Sequence, residues 1–232
     1  MVKFKHLNVS VRGPDHIFNN NPNQDSSLIK ILSIGLVVVV CDGMGSRSKA
    51  DVGSKLACRA VVKVLSQLDF DAEDKLVIKD IYQYWINSLG VIHPNHAVTT
   101  CLFAWVSHSG RIRTFQLGDG LIVSSVEERK NKCLSEKKTF GNITTGLGIS
   151  NKFSDWKINQ YAFNSGDYIA LMTDGISDDI VPGKELEFVQ FVIDNTFSKS
   201  TRLANYWLKK ELNNWTTPNH LDDKTIALVV LN

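Results

Sequence analysis

The chain is poor in the features that assign a protein class at a glance. Its four cysteines, Cys41, Cys58, Cys101 and Cys133, form no Cys-x-x-Cys pair. That argues against a zinc site or a disulfide framework and for free thiols in a reducing cytoplasm. Neither charge sign dominates. The formal net charge is +2, so composition points to neither nucleic acid nor an anionic membrane surface. The longest apolar run, around Ile34 to Cys41, is too short to span a bilayer. The opening "MVKFKHLNVS" lacks the continuous apolar stretch of a secretory signal. No Pro/Ser-rich linker, low-complexity tract or solenoid-length repeat divides the sequence. Residues 1–232 are therefore expected to form a single domain, large enough for a substantial core.

What is present alternates between strand and helix signatures. "GPDHIFNNNPNQD" (13–25) reads as a loop. "SSLIKILSIGLVVVVC" (26–41) predicts two strands of a meander, the second deeply buried. Apolar residues at helical spacing predict a helix over 48–68, capped by Ser46 or Ser48, and a second over 72–89. Three stretches, 99–107, 110–118 and 120–128, read as an antiparallel meander punctuated by His108-Ser109-Gly110 and Gly118-Asp119-Gly120. Strands follow at 156–163 and 167–173, helices over 183–197 and 200–215, and a closing strand at 224–231. Strands grouped in meanders with paired helices between them imply α+β layers, not a doubly wound parallel sheet.

Acidic residues recur at the ends of these strands. Asp42-Gly43 follows "VVVVC", Asp119-Gly120 follows "RIRTFQLG" and Asp174-Gly175 follows "DYIALMT". Asp222-Asp223 precedes the last strand and Asp25 the first of the meander. A single Asp-Gly is ordinarily a turn, because both residues tolerate positive φ. That reading suits Asp119. It does not cover Asp42, which leads through Gly-Met-Gly-Ser towards a helix, or Asp174, which Asp178 and Asp179 follow. Carboxylates brought together at strand ends would need a cation to stay ionised. Mg²⁺ or Mn²⁺ takes oxygen ligands and keeps waters. Two such ions make a bridging water a nucleophile for in-line attack on phosphorus.

Other constellations are weaker. "GMGSRSK" (43–49) lacks the spacing of a phosphate-cradling loop. "HPNH" (93–96) offers two imidazoles in a turn without a third ligand nearby. Cys41 has no basic partner close in sequence and suits packing. "NYWLKKELNNW" (205–215) reads as an amphipathic helix packed on the core, with an RNA-stacking surface as the alternative.

Taken in order, the motifs resemble the metal-dependent serine/threonine protein phosphatases of type 2C, particularly the short bacterial forms. "NQD" (23–25), "VVVVCDGMGS", the paired threonines of "TTCLFAWV", "QLGDGLIV", "GDYIALMTDGISDDI" and "LDDKTIALVVL" each match a family motif. The resemblance implies an α+β fold, an αββα four-layer sandwich of two antiparallel sheets flanked by helices. It implies Asp42 as the carboxylate bridging two metals, Gly43 as a carbonyl ligand, and Asp174 and Asp222 as further ligands. Asp223 stands where the family usually has Asn; the three-residue step to Thr225 favours Asp222 over Asp223 as the ligand. Asp25 matches an acid that orients metal-bound water. Asp119 and Asp178 match ligands of a third, weaker site.

The implied cofactors are Mn²⁺ or Mg²⁺, two ions at the core site and a third at the weaker one. The implied partners are a phosphoprotein substrate and a Ser/Thr kinase or its targets, with no nucleic acid and no membrane, for a cytoplasmic monomer. Two other readings stand beside the phosphatase: a catalytically weak or inactive regulatory or binding module of the same fold, and a small-molecule phosphohydrolase. The chain departs from the family at Asn20, where many members carry a phosphate-gripping Arg five residues before Asp25. Arg12, Arg47 or the metals alone are left to hold the phosphate. Met44 stands where animal members have a His, and His16 lies in the loop before Asp25, within reach of the site or simply part of surface or core. Ser46 replaces the usual second Gly of that loop. The segment 129–155 occupies the place of the family's variable flap.

Overall fold

A computed structural model describes residues 3–126, 145–215 and 221–232. Among the described residues, nine strands lie in two antiparallel sheets. One has the order β1 (Phe4–Val11), β9 (Lys224–Leu231), β8 (Tyr168–Met172), β6 (Leu121–Ser124). The other has the order β2 (Ser26–Leu32), β3 (Gly35–Cys41), β4 (Cys101–Ser107), β5 (Arg111–Leu117), β7 (Lys157–Ala162). Helices α2 (Ala50–Leu65) and α3 (Asp74–Ser88) cover the outer face of the five-stranded sheet. Helices α5 (Glu185–Thr196) and α6 (Thr201–Asn213) cover the outer face of the other. The short helices α1 (Pro14–Phe18) and α4 (Asp174–Ser177) sit in connections between strands. This is the expected αββα sandwich.

The four layers explain why "GLVVVVC" is apolar without alternation. Leu36, Val38 and Val40 face the opposite sheet, where they meet a layer that includes Ile169, Leu171, Ala227 and Val229. Val37, Val39 and Cys41 face the other way, into the layer with Ala57, Val61, Ile81, Trp85 and Phe103. Every residue of β3 is buried. Full burial of a Val or Leu side chain stabilises by about 1.5–3 kcal/mol, so this strand is among the most firmly anchored. With both faces apolar, alternation alone cannot set the register. Polar contacts at the strand's end do, as described below.

Three expectations need correction. The stretch 13–25 is not all loop: Pro14 opens α1, where its missing N–H costs nothing and its fixed φ suits the first turn. Helix α2 begins at Ala50 after Lys49, with no side-chain cap from Ser46 or Ser48. Its entry is held instead by backbone bonds, Lys49 N–H to His96 O at 2.8 Å and Arg47 N–H to Met44 O at 2.9 Å. The third correction is topological. β4 and β5 pair, but β6 leaves their sheet and pairs with β8. Gly118 and Gly120 have φ of 87° and 104°, and the bend they form carries the chain across the sandwich where a hairpin was expected. Gln116 Nε2 ties the bend down through the carbonyls of Gly118 and Gly120.

Cys41, Cys58 and Cys101 are buried free thiols; Cys133 and residues 129–144 of the expected flap lie outside the described residues. Among the described residues no helix is long and apolar enough to cross a membrane.

Candidate metal centre

The topology brings one end of both sheets together. β3 ends at Asp42, β8 runs into Asp174, Asp222-Asp223 enters β9, and Asp25 enters β2. Asp42 belongs to the five-stranded sheet and Asp174 to the four-stranded one, yet each acts on the other's ionisation. Burial raises the Asp42 carboxyl well above its ordinary range, and the charges of Asp25, Asp174 and Asp222 raise it further. Burial likewise raises Asp25 well above that range, helped by Asp223 and Asp222 and opposed by hydrogen bonds from Thr225 and Thr173. Asp174 is raised by burial and by the charges of Asp222 and Asp178, against lowering contacts from Asp42 and the Gly175 N–H. Oδ1 of Asp174 is buried with no hydrogen-bond partner.

Each carboxylate is held by its backbone. Asp42 N–H donates to Thr100 Oγ1 at 2.8 Å, and the Asp42 carbonyl accepts from Thr100 N–H and Thr99 Oγ1, both at 2.8 Å. These bonds fix where β3 stops. Gly43 passes so close to the carbonyls of Ala50 and Gln24 that a Cβ would meet the Gln24 oxygen at 2.8 Å. Its own N–H donates to that oxygen at 3.2 Å. Thr173 Oγ1 donates to Asp25 Oδ2 at 2.9 Å and accepts from Thr225 N–H at 3.1 Å, joining β8, β9 and the entry of β2. Motif reading singled out the paired threonines and Thr225 without a task for them. Thr173 was missed, although it immediately precedes the Asp-Gly of its strand.

The two neighbours Asp222 and Asp223 fare differently. Asp223 is buried and its carboxylate is saturated. Oδ1 accepts from Gly13 N–H at 2.7 Å, and Oδ2 from Gln24 N–H at 2.6 Å and from His16 Nδ1 at 2.8 Å. Asp222 is exposed, and its Oδ1 accepts only the Asp223 N–H, at 2.8 Å. Its charge reaches Asp25, Asp42 and Asp174. One ring nitrogen of His16 and one carboxylate oxygen each of Asp222 and Asp223 lie within 4.8 Å of one another.

The remaining expected site residues are more peripheral. Asp178 is exposed, one turn beyond Asp174, and adds to its repulsion. Asp119 sits in the glycine bend between Gly118, which packs close to Thr100, and Gly120, which packs close to the Met172 carbonyl. It is not among the charges that act most on Asp42 or Asp174. Asn20 is exposed with φ of 55°. Arg12 is exposed and donates to the Asn21 carbonyl at 3.2 Å, and Arg47 Nε points at Met44 Sδ, 3.5 Å away.

This donor set suits a hard divalent cation. Several carboxylates repel one another across a short span, one buried oxygen has no partner, and no Lys or Arg of the described residues pairs with Asp42, Asp174 or Asp222. A second buried acceptor without a partner, Gln24 Oε1, lies near Gly45 at the same end.

Comparison with known proteins agrees with this architecture. The sequence model described as protein phosphatase 2C matches residues 12–215, and the chain belongs to that family of phosphoprotein phosphatases, which are hydrolases. A bacterial serine phosphatase is similar in structure, with a TM-score of 0.69 and 19% identity, over 99% of this chain and 98% of that one. So is a serine/threonine phosphatase of S. agalactiae, with a TM-score of 0.68 and 18% identity, over 99% and 100% of the two chains. The catalytic domain of the serine threonine protein phosphatase PstP, in complex with two manganese ions, has a TM-score of 0.68 and 16% identity, over 100% and 99%. At these identities the likeness is one of fold. No curated protein matches the sequence.

Proposed function

We propose that the chain is a Mn²⁺- or Mg²⁺-dependent protein serine/threonine phosphatase, acting as one catalytic domain on phosphoserine or phosphothreonine. The observation that carries this is the convergence of Asp42, Asp174 and Asp222 from two sheets, with no Lys or Arg of the described residues paired to their carboxylates. Asp42, Asp174 and Asp222 would hold the core ions with the Gly43 carbonyl, and Asp178 and Asp119 a weaker one. The manganese ions of the PstP structure support this choice of metal. Bound there, the ions would neutralise the carboxylates, polarise the phosphoryl group and activate water.

The protein's own groups do the rest. Thr99 and Thr100 fix the Asp42 backbone so that its carboxylate stands at the sheet end. Thr173 orients Asp25, whose position suits the handling of a water's proton. The saturated Asp223 anchors the entry of β9 and leaves Asp222 as the free carboxylate of the pair.

The test is hydrolysis of a phosphothreonine peptide and of p-nitrophenyl phosphate with added Mn²⁺. Peptide turnover that EDTA abolishes is the expected result. Turnover undiminished by EDTA would sink the proposal. Mn²⁺ binding without turnover would point to the regulatory module, and turnover of small esters alone to the small-molecule phosphohydrolase.

A further inference from the structure

A phosphate monoester brings two negative charges to an already acidic pole. Cations can offset them, but holding the phosphoryl oxygens in place also calls for directed donors. The basic side chains near this end are mostly engaged. Arg12 serves the Asn21 carbonyl and Arg47 points at Met44. Lys224 is fully buried at the start of β9, with Nζ donating to the Asp222 carbonyl at 3.2 Å. Asn20 is exposed on the far side of α1 in sequence and carries no charge.

His16 is different. It is 9% exposed, lies on α1, and is tied through Nδ1 to the most firmly held carboxylate of the pole. Two backbone N–H groups fix that carboxylate, and the carboxylate fixes the imidazole. A histidine held in this way at one nitrogen has its other nitrogen oriented for a ligand. The Asp222 carboxylate is within 4.8 Å of the ring, so the imidazole is at the site and not merely near it.

We propose that His16 is the residue that holds the substrate phosphate, taking the task left open at Asn20. With Nδ1 bonded to the Asp223 carboxylate at 2.8 Å, the ring presents Nε2 to a phosphate oxygen. Asp223 is then a positioning residue. Its carboxylate gives the ring an orientation that a neutral amide at this position would not enforce as strongly. This rests on the phosphatase reading above.

Two substitutions separate the roles of the two nitrogens. The amide nitrogen of Asn falls where Nδ1 stands, so His16→Asn keeps the Asp223 contact and deletes the donor to phosphate. The amide nitrogen of Gln falls where Nε2 stands, so His16→Gln keeps that donor. Inorganic phosphate is titrated calorimetrically into the Mn²⁺-loaded proteins, alongside Mn²⁺ affinity and KM and kcat on a phosphothreonine peptide. His16→Asn is expected to weaken phosphate binding and raise KM about tenfold, and His16→Gln to stay within about threefold of the wild type. Mn²⁺ affinity should be unchanged in both. Phosphate affinity intact in His16→Asn overturns the proposal, as does a loss of Mn²⁺ affinity in step with phosphate affinity, which would make His16 a clamp or a metal ligand. Absence of measurable phosphate binding to the Mn²⁺-loaded wild type overturns it too. A wild type that binds phosphate through His16 without turning over peptide would instead count against the phosphatase reading alone.

Discussion

Two charged regions of the molecule are built on opposite rules. On the outer face of the five-stranded sheet, Arg113 is 3% exposed and its charge is paired, although its Nε has no hydrogen-bond partner. Its guanidinium pairs with Asp74 and donates to the Phe70 carbonyl, and it lies 5.5 Å from the Trp105 ring and 5.3 Å from that of Phe115. At the end of the sandwich, Asp25, Asp42, Asp174 and Asp222 act on one another, and no Lys or Arg of the described residues pairs with their carboxylates. Charge buried for structure is paired on the spot, because an unpaired ion in a dry interior is costly. Like charges gathered without a partner imply one that comes from outside. The same contrast recurs between adjacent residues: Asp223 is saturated by donors of its own chain, whereas Asp222 keeps most of its oxygen valence open.

The largest expected effect comes from breaking the open cluster. Asp42→Asn should reduce Mn²⁺-dependent turnover by more than about a hundredfold, since groups one step removed from a metal already cost about 10–100-fold. Thermal melting of the metal-free variant should be no lower than that of the wild type, because a repelling charge has gone. Removing the compensated charge should do the reverse. Arg113→Met leaves the site untouched but orphans the Phe70 carbonyl and unpairs Asp74, and urea unfolding should show a loss of about 3 kcal/mol with activity retained per folded molecule.

Asp223 sharpens the contrast at a smaller scale. Asp223→Ala strands the N–H groups of Gly13 and Gln24, and a stability loss of about 2 kcal/mol is expected by the same measurement. Asp223→Asn keeps an acceptor and should lose less.

The smallest effect is on pH. In the folded metal-free protein Asp25, Asp42 and Asp174 are raised above 3.8, the ordinary Asp value. The folded state therefore binds more protons than the unfolded one between that value and the raised ones. The stability these groups contribute is full below about 3.8 and is lost as pH rises through the raised values. Melting in EDTA should show this as a decline towards neutral pH, shallower in Asp42→Asn. A slope identical in both proteins would show that the cluster does not repel itself as described.

Much of the fold was legible because the driving patterns are local. The helices and most strands lie within a few residues of their apolar patterns, and the unbroken apolar run along β9 matches a strand buried along its whole length. β6 was not legible in its sheet. Pairing partners depend on where Gly118 and Gly120 send the chain, and their positive φ follows from closure of the sandwich more than from the sequence around them. Helix α1 was hidden because five residues carry too little periodicity to register. At the site, Asp42, Asp174 and Asp222 were visible as residue types at strand ends. The bond between His16 and Asp223 was not, since it joins positions 207 residues apart.

By itself the sequence determined the layers: where strands stop, which faces are apolar, and that acids follow the strands. Those are consequences of side-chain chemistry repeated at short range. Only the tertiary structure decided which acids meet, which of Asp222 and Asp223 remains open, and which basic residue reaches them. Such contacts are set by how two sheets stack and how one loop folds across their end, and no local pattern encodes that distance.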